Sequence, residues 1–503
     1  MWVSRTGTDA RVVTHYLGVL VVGMGAVMCL PLLTAVVLAE WGPALDYACG
    51  VGVALAIGVS LMMAAPAGAR LSGGNALLVT ALAWLAAAFV AAIPLALSGN
   101  YGSYLDALFD AMSGLTTSGL TLVQDLDHMA YSHNMWRHLT HLLGGQGIIV
   151  AALSFALAKG GGSVSLYSAE GRDEKILPNV MHTARFIWFV TAVYIVAGTV
   201  ALTGVNLLAG MDVVRGTLHA FWATIACYDT GGFGPQSQNA LYYHSAWFEG
   251  VTVILMLAGT LNFSLHADIW RGDRGEVFRN SEARTLAANI ALLTIAVGAG
   301  LAATSVFTGS WEIVRKGVYH VISANSGTGH QSIYPLQWTR DYGGLGLAAV
   351  VLGMGFGGMV SSTAGGIKSL RVSLILKGIM LRVRESLAPP SAILRAKYHH
   401  MADQTLTPQL LSSALLIAVL YGVTYITGAL IGAAYGYGAG AALFESVSAT
   451  ANVGLSAGIT APTMPWVLKL VYIVQMWAGR LEFIALFALI ASAALALRRR
   501  WGR

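Results

Sequence analysis

The chain has 503 residues, 56% of them hydrophobic and only 10% charged, with a mean hydropathy of +0.67. Soluble domains carry about 25% charged residues, so the composition excludes a water-soluble fold and leaves a polytopic membrane protein. Cys29, Cys49 and Cys227 form no spaced framework, which argues against a disulfide scaffold or a cysteine metal cage.

Apolar runs of ~20 residues span a bilayer. Such runs lie near 14–39, 46–66, 73–97, 136–158, 184–208, 246–268, 285–307, 342–360, 409–433 and 466–497, which predicts ten crossings. The first is longer than a signal h-region and lacks a cleavage site, so it reads as a retained helix. Shorter apolar stretches near 104–116, 214–228, 312–325 and 440–452 are too short to cross and too apolar for solvent. They fit re-entrant half-helices.

With the N-terminus inside, 22 of the 29 Lys and Arg fall in cytoplasmic segments. Among them are Arg271, Arg274, Arg279, Arg284, Arg382, Arg384 and the run Arg498-Arg499-Arg500. Arg137, Arg215, Arg315, Lys316 and Arg340 lie outside or at the outer boundary, and Lys469 and Arg480 lie within the last span. This is the positive-inside pattern, with both termini cytoplasmic. The net charge of +6 is therefore topological: membrane lipid is the expected partner and nucleic acid is not.

The half-helices share a pattern. Residues 109–120 read FDAMSGLTTSGL, 222–233 WATIACYDTGGF, 319–330 YHVISANSGTGH and 444–455 FESVSATANVGL. Each has an aromatic residue, an apolar half-helix, a polar cluster and then a glycine ten positions on: Gly119, Gly232, Gly329 and Gly454. The repeat is helix, half-helix, polar strand, helix. The fold class predicted is all-α and polytopic, with four such repeats around a central pore and two extra helices in front. The units are 1–70 (the leading pair), 71–165, 166–275, 276–400 with an intramembrane loop, and 401–503.

Backbone off the helix at membrane depth is tolerated where it lines a cavity or is buried in protein. Four such segments can aim carbonyl oxygens at one axis, and a ring of carbonyls replaces the hydration shell of a monovalent cation. Each half-helix entering from outside points its partially negative C-terminal end at the axis. The candidate cation-binding residues are Thr116, Thr117, Ser118, Gly119; Asp229, Thr230, Gly231, Gly232; Ser326, Gly327, Thr328, Gly329; and Ala451, Asn452, Val453, Gly454. On this topology Asp106, Asp110, Asp125, Asp127, Asp212, Asp229, Glu312, Asp341 and Glu445 face outward and are expected to concentrate cations at the mouth.

These segments resemble the filters of the Trk/Ktr/HKT superfamily of potassium transporters. The resemblance covers nearly the whole chain after the leading pair and rests on further motifs. These are WRHLTHLLGGQGIIV at 136–150, LAGTLNFSLH at 257–266, GMVSSTAGGIKSLR at 358–371 and AGRLEF at 478–483. The leading pair is similar to the TrkH-type branch. The resemblance implies potassium as the substrate, no organic cofactor, a homodimer with one pore per protomer, and a separate cytosolic nucleotide-binding regulatory subunit of the TrkA/KtrA type. It also implies that glycine at all four ring positions goes with potassium, and serine at the first with sodium. Two departures bear on selectivity. The third segment reads Ser326-Gly327-Thr328-Gly329-His330 where the family usually has Thr-Thr-Thr-Gly-Phe, and the second carries Asp229 where an uncharged residue is usual. A carboxylate there either strengthens cation binding or is tied up by backbone amides behind the strand.

After the third segment a span dissolves into GFGGMVSSTAGG at 355–366. Each glycine costs roughly 1 kcal/mol against alanine in a helix, so this stretch reads as a broken, pore-lining loop. The resemblance implies a gate built from Gly357, Gly358, Ser361, Ser362, Thr363, Ala364, Gly365, Gly366 and Lys368. Arg480, an arginine at mid-bilayer, is a functional candidate by default. Its expected partners are the carbonyls of this loop or Glu482, and its role is an electrostatic barrier, a pin for the loop, or both. His128, His133, His138 and His141 look metal-like, but no carboxylate or cysteine completes a site. The basic patch of Arg395, Lys397 and Tyr398–His400 reads as a docking or lipid-headgroup face.

The function expected is potassium uptake across the cytoplasmic membrane through a gated, channel-like pore. A proton- or sodium-coupled symporter and a poorly selective sodium/potassium pore are the alternatives. A membrane enzyme would need clustered ionisable residues at one membrane face, and the charged residues show no acid/base pair or metal motif.

Overall fold

Two apolar helices lead the chain, α1 (Ala10–Val37) and α2 (Trp41–Met62), in a computed structural model that describes residues 10–63, 73–147, 180–307 and 309–501. The turn between them carries Glu40, whose carboxylate accepts the Tyr131 and Ser132 N–H groups at 2.8 and 3.0 Å. The leading pair therefore satisfies orphan donors at the start of a helix 91 residues downstream.

The chain then runs through one arrangement four times. The first unit is α3 (Gly73–Leu97), α4 (Tyr104–Leu115) and α5 (Tyr131–Gln146). The second is α6 (Val180–Leu208), α7 (Val213–Tyr228), α8 (Ala246–Thr260) and α9 (Phe263–Arg271). The third is α10 (Ser281–Thr304), α11 (Ser310–Ser326), α12 (Gly343–Gly355) and α13 (Ser369–Leu387). A hairpin of β1 (Lys397–His400) and β2 (Ala402–Thr405) follows, with Lys397 opposite Thr405. The fourth unit is α14 (Pro408–Ala434), α15 (Ala439–Thr450), α16 (Trp466–Arg480) and α17 (Ile484–Trp501).

The short helices α4, α7, α11 and α15 have 12, 16, 17 and 12 residues. At ~1.5 Å per residue none reaches across a ~30 Å hydrocarbon core. Side chains fix where two of them begin: Ser103 Oγ accepts the Asp106 N–H, and the Asp212 carboxylate accepts those of Val214 and Arg215.

Among the described residues, α1, α2, α3, α6, α10 and α14 are each long and apolar enough to cross a membrane. Three of the other four predicted crossings are not straight spans. The run at 246–268 bends by 102° between α8 and α9, and the run at 466–497 bends by 110° between α16 and α17. The run at 342–360 is helical only to Gly355 and continues as a loop to Lys368. Residues 148–158 of the run at 136–158, with the end of its Gly-Gly-x-Gly-Ile motif, lie outside the described residues. The breaks have local causes: Asn262 caps a new helix by accepting the Ser264 N–H at 2.7 Å, and Glu482 and Phe483 take positive φ of 50° and 68°. An average of hydropathy runs straight through such breaks, because the flanking residues stay apolar.

Each long helix packs on the short helix of its own unit: α3 on α4, α6 on α7, α10 on α11, α14 on α15. The first helix beyond each short one packs on the short helix of the next unit: α5 on α7, α8 on α11, α12 on α15, and α16 back on α4. The four units thus close a cycle.

Among the described residues the hairpin is the one β-sheet. His399 holds it, with Nδ1 2.7 Å from Asp403 and Nε2 3.0 Å from Glu276, while its N–H donates to Ser281 Oγ at 3.0 Å. Asp403 first, then Glu276, raise the imidazole pKa above its ordinary 6.5. A group whose pKa rises on docking contributes fully below its undocked value and loses that contribution as pH climbs through the raised one. Hydrogen exchange of the hairpin amides, corrected for the intrinsic rate, is therefore expected to be slow below pH 6.5 and to accelerate as pH rises through the His399 titration. In His399→Gln this pH dependence is expected to vanish.

Candidate functional site

Each short helix ends in the same backbone path. Two residues before the ring glycine, φ turns positive: 55° at Thr117, 51° at Thr230, 74° at Gly327 and 56° at Asn452. At the glycine it is positive again: 78° at Gly119, 81° at Gly232, 77° at Gly329 and 98° at Gly454. Between them, the N–H groups of Ser118, Gly231, Thr328 and Val453 reach back five residues to carbonyls at 2.8, 2.8, 3.0 and 2.9 Å. Left-handed residues in alternation turn successive carbonyls toward the same side.

The four segments meet. A Cβ on Gly119 would lie 2.3 Å from the Gly231 oxygen, and one on Gly232 2.3 Å from the Thr328 oxygen. One on Gly329 would lie 1.8 Å from the Val453 oxygen, and one on Gly454 2.2 Å from the Ser118 oxygen. Each glycine faces the next segment's carbonyl in the order one, two, three, four and back to one. Only glycine fits this approach and this φ.

The carbonyl oxygens of Thr117, Ser118, Thr230, Gly231, Gly327, Thr328, Asn452 and Val453 accept no hydrogen bond from any described residue. All eight residues are buried. Buried carbonyls are nearly always paired, so this ring is chemically a site for a cation or for water.

The second helices hold the ring from behind. A Cβ on Gly144, Gly259 or Gly479 would come within 1.7, 1.8 and 1.8 Å of the oxygens of Leu115, Tyr228 and Thr450, the last residues of α4, α7 and α15. The third unit uses a side chain instead: Asn325 Nδ2 donates to the Gly353 and Phe356 oxygens at 3.2 and 2.7 Å.

Side chains of the short helices shape the chain beyond the ring. Asp110 Oδ1 accepts the Leu122 N–H at 3.2 Å, His320 Nε2 that of Ser332 at 3.0 Å, and Glu445 Oε1 that of Ala457 at 2.9 Å. The donor lies twelve residues after the acceptor each time. In the second unit the matching pair is Ala223 and Pro235. Neither can bond, so donor and acceptor are lost together.

Several of the carboxylates expected on the outer face are held by partners, while Asp125, Asp127 and Glu312 stay exposed. Asp106 pairs with Lys469, Asp110 with Arg137 at 3.0 Å and Asp341 with Arg340 at 2.6 Å. Asp212 and Glu445 are occupied by backbone N–H groups. Asp229 is not held by backbone amides: its Oδ1 accepts from Gln146 Nε2 at 2.7 Å, and its Oδ2 has no partner among the described residues.

The loop between α12 and α13 lies on the helix-end side of the ring. It is closed by a Phe356–Ile367 bridge, with Gly357 N–H on the Ile367 oxygen at 2.9 Å. Thr363 Oγ1 donates toward the Gly259 oxygen at 2.9 Å and lies 3.1 Å from Thr230 Oγ1, on the second segment. The Gly365 N lies 3.4 Å from a Cβ built on Gly327, on the third, and a Cβ on Gly365 would lie 2.2 Å from the Ala451 oxygen, on the fourth. Contact with the first segment runs through Arg480. Its Nη1 donates to the Thr363 oxygen at 2.8 Å and to Thr117 Oγ1 at 3.2 Å, and its Nη2 donates to the Gly144 oxygen.

Of the other loop residues, Ser362 Oγ donates to the Met359 oxygen at 2.6 Å, and Lys368 Nζ donates to the Ala364 oxygen. Ser361 has φ of 52°, and Gly358 packs against Thr260, where a Cβ would lie 2.1 Å from Oγ1. Gly366 closes the turn with φ of 70°. Glu482 pairs with Arg371, while Arg480 makes its hydrogen bonds to the loop and to units one and three.

The histidine run diverges. His128 pairs with Asp125, His133 with Tyr47, and His138 with the Asn134 oxygen. His141 Nε2 accepts the Phe233 N–H at 3.1 Å, and its Nδ1 donates to the Gly114 oxygen at 2.8 Å. Next to the third ring glycine, His330 lies 3.5 Å from Cys227. Sequence reasoning missed Glu282, whose carboxylate accepts the Val360 and Leu370 N–H groups at the two ends of the loop. Its only sequence signal is an acid near the start of an apolar run.

Residues 53–308 and 310–495 match the profile of a family described as TrkH, cation transport protein. The chain is 29% identical over 422 residues to a cation transporter of Methanocaldococcus jannaschii, covering 83% of this chain and 82% of that one. It is 29% identical over 502 residues to the Trk system potassium uptake protein TrkH of Halomonas elongata (96% and 98% covered). It is 28% identical over 490 residues to the protein of that name in Escherichia coli (95% and 98%). The crystal structure of the potassium transporter TrkH from Vibrio parahaemolyticus superposes with a TM-score of 0.82 at 22% identity, covering 96% of this chain and 98% of that one.

The anchors beyond the ring yield one expectation. Glu445 is buried and accepts Ser456 Oγ and Thr460 Oγ1 at 2.6 and 2.8 Å besides the Ala457 and Ile459 N–H groups. Glu445→Gln turns an N–H toward these donors and is expected to destabilise the fold by on the order of 2 kcal/mol. Thermal unfolding of the purified protein checks it.

Proposed function

The chain belongs to the TrkH family of cation transport proteins, and from that premise we propose that it takes up potassium through the ring of Gly119, Gly232, Gly329 and Gly454. The observation that carries this reading is the set of eight buried carbonyl oxygens, two from each segment, that accept nothing from the described residues. Such oxygens replace a hydration shell, and four short helices direct their partially negative ends at them. Glycine at all four ring positions and relatives named for potassium uptake support potassium over sodium.

In this reading the loop of Gly357–Lys368 is the gate. It contacts three segments directly and the first through Arg480, which supports a plug rather than a strut. Arg480 both pins the loop and sets a positive charge beneath the ring. The membrane is the cytoplasmic one, both termini face the cytoplasm, and the membrane potential drives uptake. A homodimer and a cytosolic nucleotide-binding regulator of the TrkA/KtrA type complete the assembly. Symport is the second reading, and the observation that favours it is the Oδ2 of buried Asp229, which has no partner among the described residues.

Potassium and sodium flux through the purified protein in liposomes tests the proposal. A potassium flux that follows the membrane potential without a proton or sodium gradient supports the pore, and one that needs such a gradient supports symport. Gly119→Ser pushes a Cβ onto the Gly231 oxygen. It is expected to raise sodium flux relative to potassium, and a ring distortion of ~1.4 kcal/mol between the two ions shifts their ratio about tenfold.

For Arg480, a unit charge ~6 Å from an ion at an effective dielectric of ~20 is worth roughly 3 kcal/mol before screening. Arg480→Ala is expected to raise potassium flux severalfold. Arg480→Lys keeps the charge but not the fork of donors. It stays near wild type if charge dominates and follows alanine if the pin dominates. Lower flux in a folded Arg480→Ala protein would sink both roles.

A further inference from the structure

Away from the ring, α10 and α13 leave a groove of about 540 Å³, within the ~300–1,000 Å³ typical of small-ligand sites. Its lining sets Arg284 and Lys377 beside the apolar Ala288, Leu292, Leu376 and Met380. Across Lys377 and Met380 it continues into a second hollow of about 320 Å³ walled by Arg384, Arg395 and Lys397.

These five cations differ from their neighbours. Arg279, Arg371 and Arg382 each pair with a carboxylate. Arg284, Lys377, Arg384, Arg395 and Lys397 form no ion pair with a described residue, although Asp403 lies near Lys397. Lys377 donates to the Lys397 carbonyl oxygen at 2.9 Å, and burial and then the nearby Arg284 charge hold its ammonium below the ordinary pKa. Two cations side by side with no acid between them attract an anion. Beside them the groove is greasy and open: Leu292, Leu376 and Met380 are 66%, 52% and 59% exposed. A free phosphate would satisfy the charges and leave this apolar half in contact with nothing.

We propose that this groove binds an anionic phospholipid, with its phosphate between Arg284 and Lys377 and an acyl chain along Leu292, Leu376 and Met380. Basic pockets between helices on the cytoplasmic side select anionic headgroups, and that placement rests on the topology proposed above. The lipid is held by the third unit, which also carries the loop, and Lys377 ties it to the hairpin.

The test is native mass spectrometry of the full-length protein, purified in detergent and supplied with dioleoylphosphatidylglycerol, dioleoylphosphatidylcholine or inorganic phosphate. Phosphatidylglycerol is expected to stay bound and the other two are not. Arg284→Gln combined with Lys377→Gln is expected to lower its retention about thirtyfold, at roughly 1 kcal/mol per basic residue near the headgroup. Arg284→Lys combined with Lys377→Arg is expected to keep it. Equal retention of phosphatidylcholine, binding of phosphate alone, or undiminished phosphatidylglycerol on the glutamine variant would overturn the proposal. So would loss of a second copy of the chain in place of lipid, which would assign the groove to an interface between copies. Retention in detergent depends neither on which leaflet the groove faces nor on ion conduction, so its failure leaves the transport reading standing.

Discussion

The structure depends on a contact that admits no side chain: the carbonyl oxygen of one segment sits where the next segment's glycine would carry its Cβ. Repeated four times, this contact closes on itself, so no segment can move without pushing the next. The cycle of helices reproduces the closure one layer out, because the helix beyond each short one packs on the short helix of the following unit. Gly144, Gly259 and Gly479 join the two layers by letting a second helix touch the last carbonyl of a short one. Short helices, broken second helices and small residues behind the ring all follow from bringing eight carbonyls to one axis.

Against this near-symmetric frame, the third and fourth units carry the differences. The third replaces the glycine contact with Asn325 and extends its second helix into the loop beneath the ring. The fourth supplies Arg480, which is hydrogen-bonded to that loop and to the first unit. Glu282 ties both ends of the loop to the start of α10. A charge and a glycine-rich loop thus sit beneath the ring while its four glycines stay the same. On the other face Asp106, Asp110 and Asp341 pair with cations, while Asp125, Asp127 and Glu312 stay exposed.

Much of this was legible in the sequence because the repeat is written in residue types that have few other uses. An aromatic residue with a glycine ten positions on, four times, located all four segments, and the glycine-dense stretch at 355–366 located the loop. The straightness of the spans was not legible. Leu261 and Leu481 sit in the breaks and are as apolar as the helices around them, so hydropathy registers no interruption. Nor were the fates of the carboxylates, since Asp106 finds Lys469 363 residues away and Glu482 finds Arg371 111 residues away. A single sequence carries no trace of such pairs. The tie on Asp229 was not legible for the same reason: Gln146 lies 83 residues upstream.

The anchor that Asp110, His320 and Glu445 make to the residue twelve positions on bears on the history of the chain. If the four units descend from one ancestor, the second lost its acceptor at Ala223 and its donor at Pro235, and the two losses are not independent. Losing the acceptor first strands a buried N–H, and gaining proline first strands a buried acceptor. Either intermediate is less stable than both end states. Duplicated units can therefore drift apart only along paired routes, and the second unit stands at the far end of one.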